Sequence, residues 1–299
     1  MSISQLGEFG LIDTLKKLVP ISKTVIKGIG DDAAVLPFSK SEYLLLTTDM
    51  LAEDTHFTRK MSPELIGHKA LACNISDIAA MGGWPTFAVI SIGVPKNLPV
   101  RFIEDIYKGI QNVAKAFKVS IVGGDTIKTE SIVINIALMG QVEKKNLTTR
   151  DGAKVGDWIF VTGPLGDSFK SGRHLNFTPR LDQARFLVEK FRPSAMMDIS
   201  DGLAGDLNHI LKASKVGARL DHESIPRHKG VSLAQAMNDG EDFELLFTLS
   251  PKKSRLLIKS FPNASVGNLT RNLFNFYPIG KITSNVKQRI IAHSFTHFQ

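Results

Sequence analysis

Cysteine is almost absent from this chain. Cys73 is the single one among 299 residues, so no internal disulfide can form and no thiolate metal site can be built. Long apolar runs are missing as well, and nothing approaches the roughly 18 uncharged apolar residues that a membrane span requires. The opening stretch MSISQLGEFGLIDTLKKL reads as an amphipathic helix with Leu6, Phe9, Ile12, Leu15 and Leu18 on one side, and it lacks the basic start and apolar centre of a secretory signal. A cytoplasmic location with no membrane partner is the expectation. Despite a net charge of +8, no arginine-rich helix or basic-aromatic ladder occurs; the basic residues scatter into short pairs such as Lys16-Lys17, Lys144-Lys145 and Lys252-Lys253. The charge suits phosphorylated small molecules, nucleic acid or plain solubility, and no nucleic-acid partner is expected. Two nucleotide signatures are also lacking: there is no G-x-x-x-x-G-K-[ST] loop and no H-R-D catalytic loop.

The stretch Gly28 to His56 organises what is present. Two apolar, β-leaning runs, Ala33 to Phe38 and Tyr43 to Leu46, are expected to be strands. The acidic turn Gly30-Asp31-Asp32 precedes the first, and the polar triplet Thr47-Thr48-Asp49 follows the second. Pro63 to Met81 has the strongest helical pattern, with Asp77 set among small and apolar neighbours where an unpaired charge is costly. A strand over 87–94, a helix over 101–117, an apolar run 119–122 ending in Gly-Gly-Asp-Thr (123–126) and a strand over 132–142 complete a first half. The polar, basic segment from Glu143 to Gly156 marks the junction, predicting two domains, 1–142 and 143–299. In the second half a strand over 158–162 leads into Gly163 to Ser168, and helical material follows to about Phe191. An apolar run 195–199 enters Ser200-Asp201-Gly202, and a helix over 203–213 takes Ser200 as N-cap. Asp239 to Glu244 leads into a strand over 243–249. The fold class is α/β (α+β).

Five acidic clusters stand out: Asp31-Asp32, Asp49, Asp77, Asp125, and Asp198 with Asp201. Taken singly, each reads as a solvated turn or a capping group. Together they describe oxygen-only ligands for hard cations, most often Mg²⁺ carrying phosphates. A ring of carboxylates bridged by several Mg²⁺ ions, aided by helix N-termini, would neutralise ATP without a P-loop lysine.

In chain order GIGDDAAVL (28–36), TTDMLAEDTHF (47–57), NISDIAAMGGWP (74–85), GGDT (123–126), TGPLGDS (162–168), MDISDGL (197–203) and GEDFELLF (240–247) resemble the thiamine-monophosphate kinase family. That family sits in a superfamily with aminoimidazole ribonucleotide synthetase, selenophosphate synthetase and a hydrogenase maturation factor. The resemblance implies a homodimer in which N-terminal mixed sheets with helices pair, and a C-terminal α/β sandwich. It implies ATP- and Mg²⁺-dependent phosphorylation of thiamine monophosphate to thiamine diphosphate by direct in-line transfer. Asp32, Thr47, Thr48, Asp49, Asp77, Asp125, Asp198 and Asp201 fall on its metal positions, with Asp32, Asp49, Asp125 and Asp201 central to catalysis. Tyr107, Gly124, Asp125, Arg150 and Ser200 match ATP contacts, and His56, Glu241 and Phe295 match positions facing thiamine monophosphate. The stretch between GPLGDS and MDISDGL is compact, with Thr178-Pro179-Arg180 as the only trace of the family's proline-arginine stretch. A sister synthetase is the alternative, although the selenophosphate type presents an early cysteine or selenocysteine and none precedes Cys73. A non-catalytic nucleotide or polyanion binder is the alternative from another class.

Overall fold

A computed structural model describes residues 2–261 and 274–286. In chain order the elements are α1 (Ile3–Leu18), β1 (Ala34–Pro37), β2 (Glu42–Ala52), α2 (Pro63–Ala80), β3 (Trp84–Val94), α3 (Val100–Phe117), β4 (Ser120–Lys128) and β5 (Val133–Glu143). There follow β6 (Trp158–Val161), α4 (Ser168–Ser171), α5 (Leu181–Lys190), β7 (Ala195–Asp198), α6 (Leu203–Ser214), β8 (Gly217–Leu220), α7 (Leu233–Asn238), β9 (Leu245–Leu249), α8 (Pro251–Ser260) and β10 (Tyr277–Thr283).

The first sheet has the order β1-β2-β5-β3-β4, and only β3 and β4 run parallel, as the α3 crossover between them requires. Period-2 alternation splits its side chains. Leu45, Leu51, Ala88, Ile90, Ile92, Ile134, Ile136 and Leu138 are buried in a core shared with α2 and α3. Leu46, Met50, Phe87 and Val89 are exposed on the opposite face. The second sheet, β7-β9-β6-β10-β8, is antiparallel throughout. It carries a core on each face. Ile159, Val161, Met197 and Leu246 pack with α6, while Phe160, Met196, Phe247 and Leu249 pack with α5 and α8. This is the helix-covered sandwich expected of the second half.

α2 stands between the two sheets. Nearly all of its residues from Ile66 to Ala80 are buried, so the helix is enclosed on almost every side. Its close neighbour α3 is admitted by glycine: a Cβ on Gly67 would lie 1.9 Å from the Ile106 carbonyl oxygen, and one on Gly109 1.8 Å from that of Glu64. Ala79 and Ala80 belong to the core of the second half.

Some expected boundaries move. β2 continues through Thr47-Thr48-Asp49 to Ala52, because that triplet obeys the same alternation, Thr47 buried and Thr48 exposed. Gly-Gly-Asp-Thr 123–126 lies inside β4, where a Cβ on Gly124 would sit 1.9 Å from the Ile90 carbonyl oxygen. β9 begins at Leu245 because Phe243 adopts a left-handed backbone, φ 50°. Gly202, not Ser200, occupies the N-cap of α6. α1 breaks at Gly7 and buries none of its residues fully; Leu6, Phe9 and Ile12 are half-buried while Leu15 and Leu18 are exposed.

Candidate active site

A cavity of about 700 Å³ opens where the two halves meet over α2. β2 supplies Thr47, Thr48 and Asp49 to its wall; the turn before β1 supplies Asp31 and Asp32; the middle of α2 supplies Lys69 and Asp77. From the second half come Arg150, Asp198 at the end of β7, Ser200 and Asp201 just beyond it, and Glu241. Five of the acidic positions separated by up to 170 residues of sequence therefore converge: Asp32, Asp49, Asp77, Asp198 and Asp201.

Asp32, Asp77 and Asp198 each offer an oxygen within 4.8 Å of the others. Burial, followed by the charges of Asp49, Asp198 and Asp32, pushes the Asp77 pKa well above the carboxylate range. Burial and then Asp32 push Asp198 up to about 8. Asp49 rises to about 6 through burial, with Lys69 opposing and Asp32 adding to the shift. Such a group is electrostatically unfavourable without a cation. Asp32 Oδ2 is buried with no hydrogen-bond partner among the described residues, and all three donors are hard oxygens, so Mg²⁺ fits this set. Neighbouring groups orient the ligands. Ser76 donates to Asp198 Oδ2 at 2.6 Å, and Asn74 Oδ1 accepts the Asp49 backbone N–H at 3.1 Å.

Arg150 spans the seam. Its Nη2 lies 2.6 Å from Asp32 Oδ1, and its backbone N–H donates to Asp31 Oδ1 at 3.2 Å. Burial works against its charge, but Asp32 and Asp31 outweigh that and hold its pKa above the ordinary value. Asp31 therefore latches the two halves, with Lys27 at 3.5 Å, while Asp32 faces the cavity. Burial and then Asp32 push Asp31 up to about 7, against Arg150 and Lys27.

Family models for the N-terminal domain of AIR synthase related proteins match residues 30–142, and those for the C-terminal domain match 150–293. The thiamine-monophosphate kinase of Aquifex aeolicus (strain VF5) is 38% identical, covering 83% of this chain and 87% of that protein. That of Haemophilus influenzae is 31% identical, covering 98% of each. A solved structure of AaThiL complexed with AMPPCP and TMP superposes with a TM-score of 0.85 at 34% identity, covering 99% of both chains. The chain belongs to the thiamine-monophosphate kinase family.

Not every position that the family resemblance singles out reaches the cavity within one chain. Asp125 is exposed on the edge strand β4, in register through Ser91 and Asn135 with Met50, three strand steps away. At 4.7–4.9 Å per step that is about 14 Å from β2. Asp125 and Gly124 do not line the cavity, and neither does Tyr107, which packs half-buried against the first core from α3. Within one chain Asp125 therefore stands apart from the other carboxylates. The reason is that β5 and β3 intervene. Phe295 lies outside the described residues. His56 does line the cavity, its Nδ1 accepting the Ala52 backbone N–H at 3.0 Å.

Several kinase-site neighbours escaped the sequence reading. Lys69 is fully buried in α2 and donates to Glu241 Oε1 at 2.6 Å and to the His56 carbonyl at 3.3 Å, with His174 Nδ1 at 3.0 Å. Burial opposes the charge on Glu241, but His174 and Lys69 hold its carboxyl below the usual range. A lysine in an apolar helical run carries the same signal that exposed Asp77. Asp206 and His209 on α6 were also missed. Burial, then Arg150 and Lys212, lower the His209 pKa to about 4.

Proposed function

We propose that this chain transfers the γ-phosphoryl group of ATP to thiamine monophosphate, giving thiamine diphosphate by direct in-line displacement. The observation that carries this reading is the meeting of Asp32, Asp77 and Asp198 with Arg150 at the seam between the halves. Asp32, Asp77 and Asp198, with Thr47, Asp49 and Asp201 also on the cavity wall, would hold Mg²⁺, which would supply positive charge to offset that of the phosphates. Arg150 is placed to give a forked contact to a phosphate oxygen of the nucleotide, and Ser200 also lines the cavity. The acceptor is itself a phosphate, largely ionised near neutrality, so positioning takes precedence over a general base.

Glu241 is fixed to meet the aminopyrimidine. Its backbone is left-handed, φ 60°, and its N–H donates to the Ser200 carbonyl at 2.7 Å. Two departures of this kind within three residues, at Glu241 and Phe243, concentrate strain where a ligand contact is needed. His56 and Phe295 complete the assignment of the vitamin's neighbours.

The functional unit in this reading is a homodimer. The exposed apolar face of the first sheet is the surface that pairs, and Gly124 and Asp125 serve the partner's nucleotide and metal. Tyr107 is assigned to the nucleotide with them. The cytoplasm, where ATP is abundant and the buried thiol of Cys73 stays reduced, is the proposed compartment. No helix among the described residues is long and apolar enough to cross a membrane. A product-resolved assay with ATP, Mg²⁺ and either thiamine monophosphate or free thiamine tests the reading. Turnover of the monophosphate alone supports it, and absence of turnover with folded, Mg²⁺-replete protein overturns it.

A further inference from the structure

Lys69 is fully buried, and its ammonium ties separate segments together. It donates to Glu241 Oε1 at 2.6 Å and to the His56 carbonyl at 3.3 Å. Glu241 and His56 are the two described positions that the kinase reading gives to the vitamin, and Lys69 bridges them. The geometry points to Lys69 as a positioning residue that sets which pyrimidine the site accepts: it holds Glu241 as an acceptor-only carboxylate that requires the exocyclic amine. Lys69 has this role only within the kinase reading, whose acceptor subsite it completes.

An ionised carboxylate offers lone pairs and no hydrogen, whereas a protonated one can donate. Burial works against the charge on Glu241, yet His174 and Lys69 hold its carboxyl below the usual range. The titratable groups facing it are Lys69 of α2, His174 from the stretch after α4, and the Cys73 thiol, which burial keeps protonated. The His174 ring stacks on Phe169, centroids 4.5 Å apart at 22°, with Nδ1 3.0 Å from Glu241 Oε2. That oxygen is buried with no hydrogen-bond partner among the described residues, an unfilled acceptor that an incoming N–H would satisfy. Because Lys69 offsets its charge, Glu241 reads a hydrogen-bond pattern more than the positive charge of the vitamin's other ring. A carbonyl oxygen in place of the amine sets acceptor against acceptor, which is how a polar subsite rejects a close isostere.

The test compares kcat/KM for thiamine monophosphate with that for the analogue carrying a carbonyl oxygen in place of the exocyclic amine, using the full chain with ATP and Mg²⁺. Wild type is expected to favour the amine by more than about a hundredfold. Lys69→Met should cut that ratio at least about tenfold, because the buried carboxylate then takes up a proton and can donate to the carbonyl. Glu241→Gln, whose amide both donates and accepts, should cut it similarly, and Lys69→Met/Glu241→Gln should discriminate no worse than Glu241→Gln. A wild-type ratio in Lys69→Met overturns the role of Lys69. A double variant that loses further selectivity also overturns it, since Lys69 would then act through His56. Turnover of neither compound by wild type sinks the kinase reading, whereas turnover with unchanged selectivity sinks only the role of Lys69. If Lys69→Met fails to fold, the infrared difference between wild type and Glu241→Gln decides: an ionised-carboxylate band supports the role, and a protonated-carboxyl band overturns it.

Discussion

Replacing Lys69 by Met separates the electrostatic role of this residue from its bulk. At 2.6 Å the attraction between Lys69 and Glu241 amounts to about 6 kcal/mol at an effective dielectric of 20, most of it cancelled by the cost of burying both groups. Removing the lysine loses that attraction and keeps the cost of burying Glu241. Breaking a buried pair in this way typically costs 3–5 kcal/mol. The Glu241 side chain retains 18% exposure, which places the expected loss near the lower end, about 3 kcal/mol. For a chain of this length that corresponds to a fall in Tm of roughly 6 °C. Lys69→Met/Glu241→Gln should recover more than half of the loss, since no buried carboxylate is then left with His174 alone facing it. The pH dependence has a definite sign. Glu241 is held below the usual range, so its contribution is present above the unfolded pKa and disappears as pH falls through the folded one. The gap between wild type and Lys69→Met should therefore narrow towards pH 4. In the kinase assay the variant should raise KM for thiamine monophosphate and leave that for ATP unchanged. Calorimetry of the single and double variants checks the energetics. A single variant as stable as wild type, or a double variant no better than the single, would refute the reasoning.

Asp49, Asp31 and Asp198 have folded pKa values near 6, 7 and 8, above the unfolded value; the metal-free protein should lose stability as pH rises from about 4 to 8. Mg²⁺ should consequently raise Tm more at pH 8 than at pH 5.5 in differential scanning fluorimetry. Gly67→Ala and Gly109→Ala each place a methyl group within 2 Å of a carbonyl on the facing helix, and each should destabilise by at least about 2 kcal/mol in urea unfolding. An unconstrained helix would gain from the same change, so the sign alone decides. Mixing inactive Asp125→Asn and Asp77→Asn subunits should restore up to about a quarter of wild-type activity, because half of the randomly paired dimers carry one intact site. No recovery would place Asp125 in its own subunit's site.

The patterns that repeat along a segment were legible in the chain. α2, α3, β3 and β5 follow from helical and alternating spacing, and Asp32, Asp77 and Asp198, from three separate motifs, lie together. Contacts between distant segments were less legible. Nothing local to GGDT reveals that β5 and β3 will separate Asp125 from Asp49, because strand order is set by the pairing of whole strands. The extension of β2 through Thr47-Thr48-Asp49 was hidden by polarity, since inward polar groups satisfied by Asp77 and Asn74 look like a strand end when their partners are unknown. Lys69 and His174 were overlooked for the same reason: each is buried only because Glu241 arrives from another part of the chain.

α2 touches both halves through Lys69, Ser76, Ala79 and Ala80. A hinge that swung the halves apart would have to break the Lys69–Glu241 ion pair and the Ser76–Asp198 hydrogen bond together and uncover two alanines. The seam is thereby held closed, and Asp32, Asp77 and Asp198 stay assembled at it.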